Sequence, residues 1–355
     1  MAASIALWSL VALVSTAVVW KGSTWLERSS ERLSVYYELP EIVQGAIVVA
    51  VGSSFPELST AVLSALLHGA FELGVSAIVG SALFNILVIP ALSGLFGHRF
   101  LPANRDLVYK EAQFYMIAVA VLTLTFAFAA IYFPVANDQG VILGEINRSL
   151  ALMPIALYGL YVFVQYQDTM DYTPEVEAGN IRPLREWGLL LAALVTILAG
   201  VEGLVRAAIH FGDLFGTPRF LWGITVVAAG TSVPDAFVSI KAARSGRSVT
   251  SVANVLGSNI FDLLVAIPMG VLIAGAATIN FSIAAPMMGV LTLATIALFL
   301  MMRTHMVLSR KEAWSLLGLY ALFVVWMGVE TFGLIDLVPS LPPSEAASGG
   351  HAGGH

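Results

Sequence analysis

Apolar residues along this chain gather into ten runs of roughly 20, each long enough to cross the hydrocarbon core of a bilayer as a helix. The runs lie near 3–20, 41–67, 73–97, 109–131, 149–167, 187–210, 219–242, 250–276, 279–302 and 313–334. Polar residues between them are confined to short interruptions. The pattern predicts an all-α polytopic membrane protein with ten transmembrane helices. Composition agrees: 58% of residues are hydrophobic, 11% are charged, and the mean hydropathy is +0.86, far from an ordinary soluble domain. The first run lacks a basic residue ahead of it and is followed by Trp20 and Lys21 in place of a small-residue cleavage site, so it reads as a span and not as a signal peptide.

Two of the runs carry nearly the same polar interruption. GAIVVAVGSSFPE (Gly45 to Glu57) and GITVVAAGTSVPD (Gly223 to Asp235) share seven of twelve positions up to the proline, and GSALFNILV (Gly80 to Val88) pairs with GSNIFDLLV (Gly257 to Val265) at five of nine. The second pair follows the first at almost equal spacing in both halves. Such duplication points to a repeat transporter. Residues 1–168 then form a first five-helix repeat, 169–186 a linker, 187–335 a second five-helix repeat and 336–355 a disordered tail.

Charge placement orients the repeats. Of the 17 Lys and Arg residues, all but Arg148, Arg206 and Arg219 fall in loops after odd-numbered spans. Short cytoplasmic loops carry this excess, so both termini are expected outside a cell membrane. Halves of five spans must then be inverted relative to each other. The linker holds Pro174, Gly179 and Pro183 and is too short for a folded domain. Net charge is −6 and cysteine is absent, which leaves nothing to suggest a nucleic-acid partner, a disulfide or thiol chemistry.

Inside a bilayer the repeated motif is costly unless it does something. Pro56 and Pro234 have no N–H, so the carbonyls of Gly52 and Gly230 lose their helical partners, and freed carbonyls at membrane depth are tolerated only where they line a cavity or meet an ion or water. The neighbouring carbonyls of Ala50 and Ala228 become candidate ligands. Ser54 and Glu57 share a helix face, as do Ser232 and Asp235, Ser81 and Asn85, and Ser258 and Asp262. The full inventory is oxygen: carboxylates of Glu57, Asp235 and Asp262, the amide of Asn85, and hydroxyls of Ser53, Ser54, Ser81, Thr231, Ser232 and Ser258. Hard cations such as calcium take oxygen ligands, whereas the thiolates and imidazoles of softer metal sites are missing here. A lone Ser or Pro in a membrane helix is usually structural; intramembrane acids are functional by default. The small residues of GAIVVAVG serve close helix packing equally well.

These four segments, G(T/S)SxPE/D and GSxxFN/D twice over, resemble the calcium/cation antiporters, the sodium/calcium exchanger family, and are most similar to its potassium-dependent branch. The likeness covers residues 1–335. It implies ten helices in two inverted repeats, with the second, third, seventh and eighth enclosing the ions, and exchange of calcium for sodium with no cofactor and no enzymatic chemistry. Carried over by position, it implies calcium at Glu57 and Asp235, flanked by Ser53, Ser54, Thr231, Ser232 and the carbonyls of Ala50 and Ala228. Ser81, Asn85, Ser258 and Asp262 would complete the sodium positions. An aspartate matching Asp262 is tied to potassium use in one branch and kept by sodium-only relatives, so potassium dependence stays open. A proton/calcium exchanger is a second alternative, although that branch carries a different motif. A membrane aspartyl protease, with two buried acids, is a third. Outside the site, Glu202 and Arg206 are expected to form a structural ion pair and Glu330 to lie at the membrane interface.

Overall fold

The computed structural model describes residues 1–37, 50–97, 101–102, 110–137, 141–168, 181–246, 248–303, 306–331, 334–335 and 337–338. In chain order these form α1 (Ala2–Tyr36), α2 (Ala50–Ser53), α3 (Phe55–Leu66), α4 (Phe71–Phe96), β1 (Leu101–Pro102), α5 (Ala112–Tyr132), β2 (Pro134–Val135), β3 (Leu143–Asn147) and α6 (Arg148–Asp168). The second half holds α7 (Pro183–Phe215), α8 (Arg219–Trp222), a π turn (Gly223–Val227), α9 (Ala228–Arg244), α10 (Ser248–Phe261), a second π turn (Asp262–Ala266), α11 (Ile267–Ala274), β4 (Ala276–Asn280), α12 (Phe281–Arg303), β5 (Val307–Leu308) and α13 (Arg310–Thr331). Among the described residues, nine helical segments are long and apolar enough to span a membrane, and Phe55–Leu66 is a shorter apolar helix. The first part of the expected second span, 41–49, lies outside the described residues, as do most of the linker and the tail from residue 339.

Three short strand pairings are absent from the ten-helix expectation; β2 pairs with its neighbour β3, and the other two report the inverted symmetry. β1 pairs with β5 and β4 pairs with β3, both antiparallel. Each pairing joins the connection after the third span of one half to the connection after the fourth span of the other. Because one pair follows odd-numbered spans and the other even-numbered spans, they lie at opposite membrane faces. Strands form there because these connections leave the lipid with backbone groups that no helix satisfies.

The first and sixth spans are longer than their apolar runs suggest. α1 has 35 residues, about 52 Å of helix, and continues through the charged stretch from Lys21 to Arg32. A stripe of Val19, Gly22, Leu26, Ser29, Ser30 and Leu33 is buried along one side at helical spacing. That side meets α7, where a Cβ on Gly22 would come within 2.7 Å of Ile197 and one on Gly200 within 2.8 Å of Val19. Arg32 donates to Glu186 across the same pair at 2.8 Å. Packing between the two long helices thus continues past the apolar run of α1, and α7 starts at Pro183, where a proline fits the first helical turn.

At the centre stands α4, buried along nearly its whole length from Phe71 to Gly94. It crosses the second repeat at two glycines. A Cβ on Gly80 would run into the carbonyl of Ile224, and one on Gly223 into the hydroxyl of Ser76. The glycines therefore serve close packing, and this packing brings the two motifs together. Large apolar side chains such as Leu10, Leu13, Leu191, Val195, Leu322 and Val325 point outward, as lipid-facing surfaces require.

Candidate ion site

In the first repeat the helix breaks where the proline predicts. α2 ends at Ser53, Ser54 adopts a turn conformation with φ −94° and ψ 8°, and α3 restarts with Pro56 in its first turn. The second repeat handles the same sequence differently. α9 runs on through Pro234, and the irregularity moves upstream into the π turn at Gly223–Val227. A matching break at Gly230 is therefore not found. The π turn absorbs an extra residue within a continuous helix, and Leu204 and Thr16 pack closely over Gly230. A second π turn opens at Asp262 and ends just before Pro268. Asp262 is its first residue and is buried.

Eleven of the twelve candidate residues can be placed by their side chains. Glu57, Asp235, Asp262, Asn85, Ser54, Ser81, Thr231, Ser232 and Ser258 are all at most 2% exposed. Ala228 is fully buried and Ser53 is partly buried. For Ala50 the backbone alone is described, at the start of α2. The hydroxyl of Ser81 donates to Glu57 Oε1 at 3.2 Å and lies 2.7 Å from the hydroxyl of Ser232. Asn85 Nδ2 approaches Asp235 Oδ2 at 3.4 Å. Ser53 and Ser258 meet hydroxyl to hydroxyl at 3.0 Å, and Ser54 reaches the Ser258 carbonyl at 3.4 Å. Every one of these contacts joins one motif segment to another, and most cross between repeats.

Thr231 bonds back to its own helix, donating to the carbonyls of Val227 at 3.2 Å and Ala228 at 3.3 Å. The Ala228 carbonyl lies within the continuous α9, so the backbone N–H four residues on and the Thr231 hydroxyl both turn toward it. Five buried oxygens of the candidate residues have no hydrogen-bond partner among the described residues: Glu57 Oε2, Asn85 Oδ1, Asp235 Oδ1 and both carboxylate oxygens of Asp262. All five accept and none donates in these roles. Burying such groups without compensation costs several kcal/mol each when charged. Among the described residues no three Asp, Glu, His or Cys side chains form a metal cluster by themselves. A cation here has to draw on hydroxyls, carbonyls and the amide as well as carboxylates.

Sequence reasoning overlooked Asn259. It is fully buried, accepts from Asn85 Nδ2 at 2.9 Å, and donates to the Ala82 carbonyl and the Tyr115 hydroxyl, each at 3.2 Å. The signal was present in the repeat, where GSNIFD carries Asn259 against Ala82 in GSALFN. Away from the site, Glu202 pairs with Arg206 at 2.6 Å as expected and also with His68 of the α3–α4 connection at 3.1 Å. Glu330, near the end of α13, is fully buried within the protein, where the backbone N–H groups of Leu337 and Val338 donate to it.

An integral membrane protein of inverted helical repeats with an oxygen-lined acidic centre has the form of a secondary ion transporter. Residues 7–167 and 185–329 match the family described as sodium/calcium exchanger protein, and the chain belongs to that family of calcium and cation antiporters. The aspartyl protease alternative falls with this. The chain is 24% identical over 350 residues to the sodium/calcium exchanger MaX1 of Methanosarcina acetivorans, covering 89% of this chain and 97% of that one. It is 34% identical over 154 residues to the human sodium/potassium/calcium exchanger 4, covering 43% of this chain and 21% of that protein. In fold it is similar to the sodium-calcium exchanger NCX_Mj, with a TM-score of 0.57 at 24% identity over 92% of this chain and 99% of that one. It is also similar to YfkE, with a TM-score of 0.68 at 16% identity over 91% and 92%.

Proposed function

We propose that this chain exchanges calcium for sodium by alternating access, with both ions competing for the oxygens contributed by α2, α3, α4, α9 and α10 and by Asp262. The observation that carries the reading is the set of five unpartnered acceptor oxygens on Glu57, Asn85, Asp235 and Asp262. Acceptors alone, drawn from both repeats and shut away from solvent, need positive charge, and oxygen ligands in this number suit calcium and sodium. Calcium is held by Glu57 and Asp235 with Ser53, Ser54, Thr231, Ser232 and the carbonyls of Ala50 and Ala228. Sodium also uses Ser81, Asn85, Ser258 and Asp262. Residues 1–168 and 187–335 are the two repeats, 169–186 links them on the cytoplasmic side, and both termini face outward. The long α1 and α7 share an apolar cluster that also takes in Leu73 and Ala77 of α4 and Val227, so in this reading the pair slides on an apolar contact with the ion-binding helices.

Sodium-gradient-driven radiocalcium uptake into proteoliposomes tests this directly. Calcium uptake that ignores an imposed sodium gradient would sink the reading, and uptake driven by a pH jump without sodium would replace it with proton exchange. Potassium dependence is the second reading, suggested by the likeness to the human sodium/potassium/calcium exchanger 4. Under it, flux requires potassium and Asp262→Asn abolishes that requirement.

A further inference from the structure

We propose that Asn259 is a positioning residue of the ion site, which turns the side-chain amide of Asn85 so that its oxygen, and not its nitrogen, faces the ion. The proposal rests on the reading of Asn85 as an ion ligand. An asparagine amide presents an oxygen on one side and two N–H donors on the other, nearly equal in shape. A cation accepts one orientation and is repelled by the other, so something has to decide between them.

The hydrogen-bond chain decides it from a fixed end. The Ala82 carbonyl can only accept, so Asn259 must turn its nitrogen toward it, 3.2 Å away. That sends Asn259 Oδ1 the other way, where it can only accept, and its neighbour at 2.9 Å is the Asn85 amide. Asn85 must answer with Nδ2. Its remaining hydrogen points to Asp235 Oδ2 at 3.4 Å, and Asn85 Oδ1 is left without a partner among the described residues. Network logic, not the electron-poor difference between N and O, fixes both amides.

The far end of the chain is directed as well. The second Asn259 hydrogen goes to the Tyr115 hydroxyl at 3.2 Å. Tyr115 is fully buried on α5. The donors therefore run one way, from Asn85 through Asn259 to Tyr115. Three helices, α4, α5 and α10, hold the orientation of one amide. Ala82, the small residue at the place that Asn259 occupies in the other repeat, leaves the room through which Asn259 reaches the backbone of α4.

Half-saturating sodium for calcium exchange in proteoliposomes, measured on the full chain, tests the idea. Asn259→Leu, close in shape but without the amide, is expected to raise it about tenfold, the lower end of what loss of an orienting partner costs a metal site, with maximal rate within about twofold. Tyr115→Phe is expected to move it the same way by less, which keeps the test open should Asn259→Leu fail to fold. In an Asn85→Ala background, Asn259→Leu is expected to add nothing, because its effect runs through Asn85. Multiplying effects in that background, or a lowered melting temperature with half-saturating sodium unmoved, would overturn the positioning role and leave the exchange reading standing. No effect of Asn85→Ala itself would remove Asn85 as a ligand and the proposal with it. Absence of sodium-driven flux in the parent would instead overturn the functional reading.

Discussion

Ser81 and Ser232, 151 positions apart, meet hydroxyl to hydroxyl at 2.7 Å in the middle of the molecule. One stands on α4 of the first repeat and the other on α9 of the second, and Ser81 also donates to Glu57. Through this pair the carboxylate of one repeat is tied to the polar face of the other. Each serine reads as an ordinary membrane-helix hydroxyl alone. Together they align the two halves of the site. Removing either by Ser→Ala is expected to cost about 1 kcal/mol, and the double variant to cost clearly less than the sum, as a melting-temperature cycle would show.

Neutralising the central acids separates function from stability. Glu57→Gln and Asp235→Asn are each expected to reduce calcium exchange to background, since a ligand and a charge are lost together. In ion-free detergent, Glu57→Gln is expected to melt no lower than the parent, because it removes an uncompensated buried charge and supplies a donor among acceptors. A variant with normal flux would remove Glu57 from the site.

Calcium itself is expected to stabilise the protein. At 100 times its dissociation constant a bound ion contributes about 2.7 kcal/mol, visible as a rise in melting temperature that a chelator reverses. The rise is expected to vanish in Glu57→Gln. Stabilisation that persists there would place calcium elsewhere.

Gly80 tests the contact that joins the repeats. A Cβ there would collide with the Ile224 carbonyl and press on Ala228, so Gly80→Ala is expected to destabilise by about 1–3 kcal/mol through overpacking. Gly159→Ala on α6, with no described neighbour within 4 Å, is the control and is expected to be neutral or slightly stabilising. Equal melting temperatures would mean that α4 and the π turn can separate without penalty.

The ion pair of Glu202 with Arg206 and His68 is expected to matter little. Arg206 is 63% exposed in its side chain, and exposed pairs contribute about 0–1 kcal/mol. Glu202→Gln should therefore lower stability by no more than about 1 kcal/mol and leave exchange intact. A large loss of flux would show that the link between α7 and the α3–α4 connection takes part in transport.

Much of this protein was legible before any coordinates. A helix in lipid must satisfy its backbone internally and match the bilayer in length, so apolar runs declare the spans, and acids that break them declare a site. The duplicated motifs named Glu57, Asp235, Asn85 and Asp262 because oxygen chemistry is a property of the residues themselves. Tertiary structure alone decided the rest: the packing of α1 along α7 beyond its apolar run; the break at Ser54 against a π turn in the second repeat, though the two sequences nearly match; the burial of Glu330; and the Asn85, Asn259 and Tyr115 chain. Each depends on partners brought together from distant parts of the chain, and hydrogen-bond direction or close packing exists only once both partners are in place.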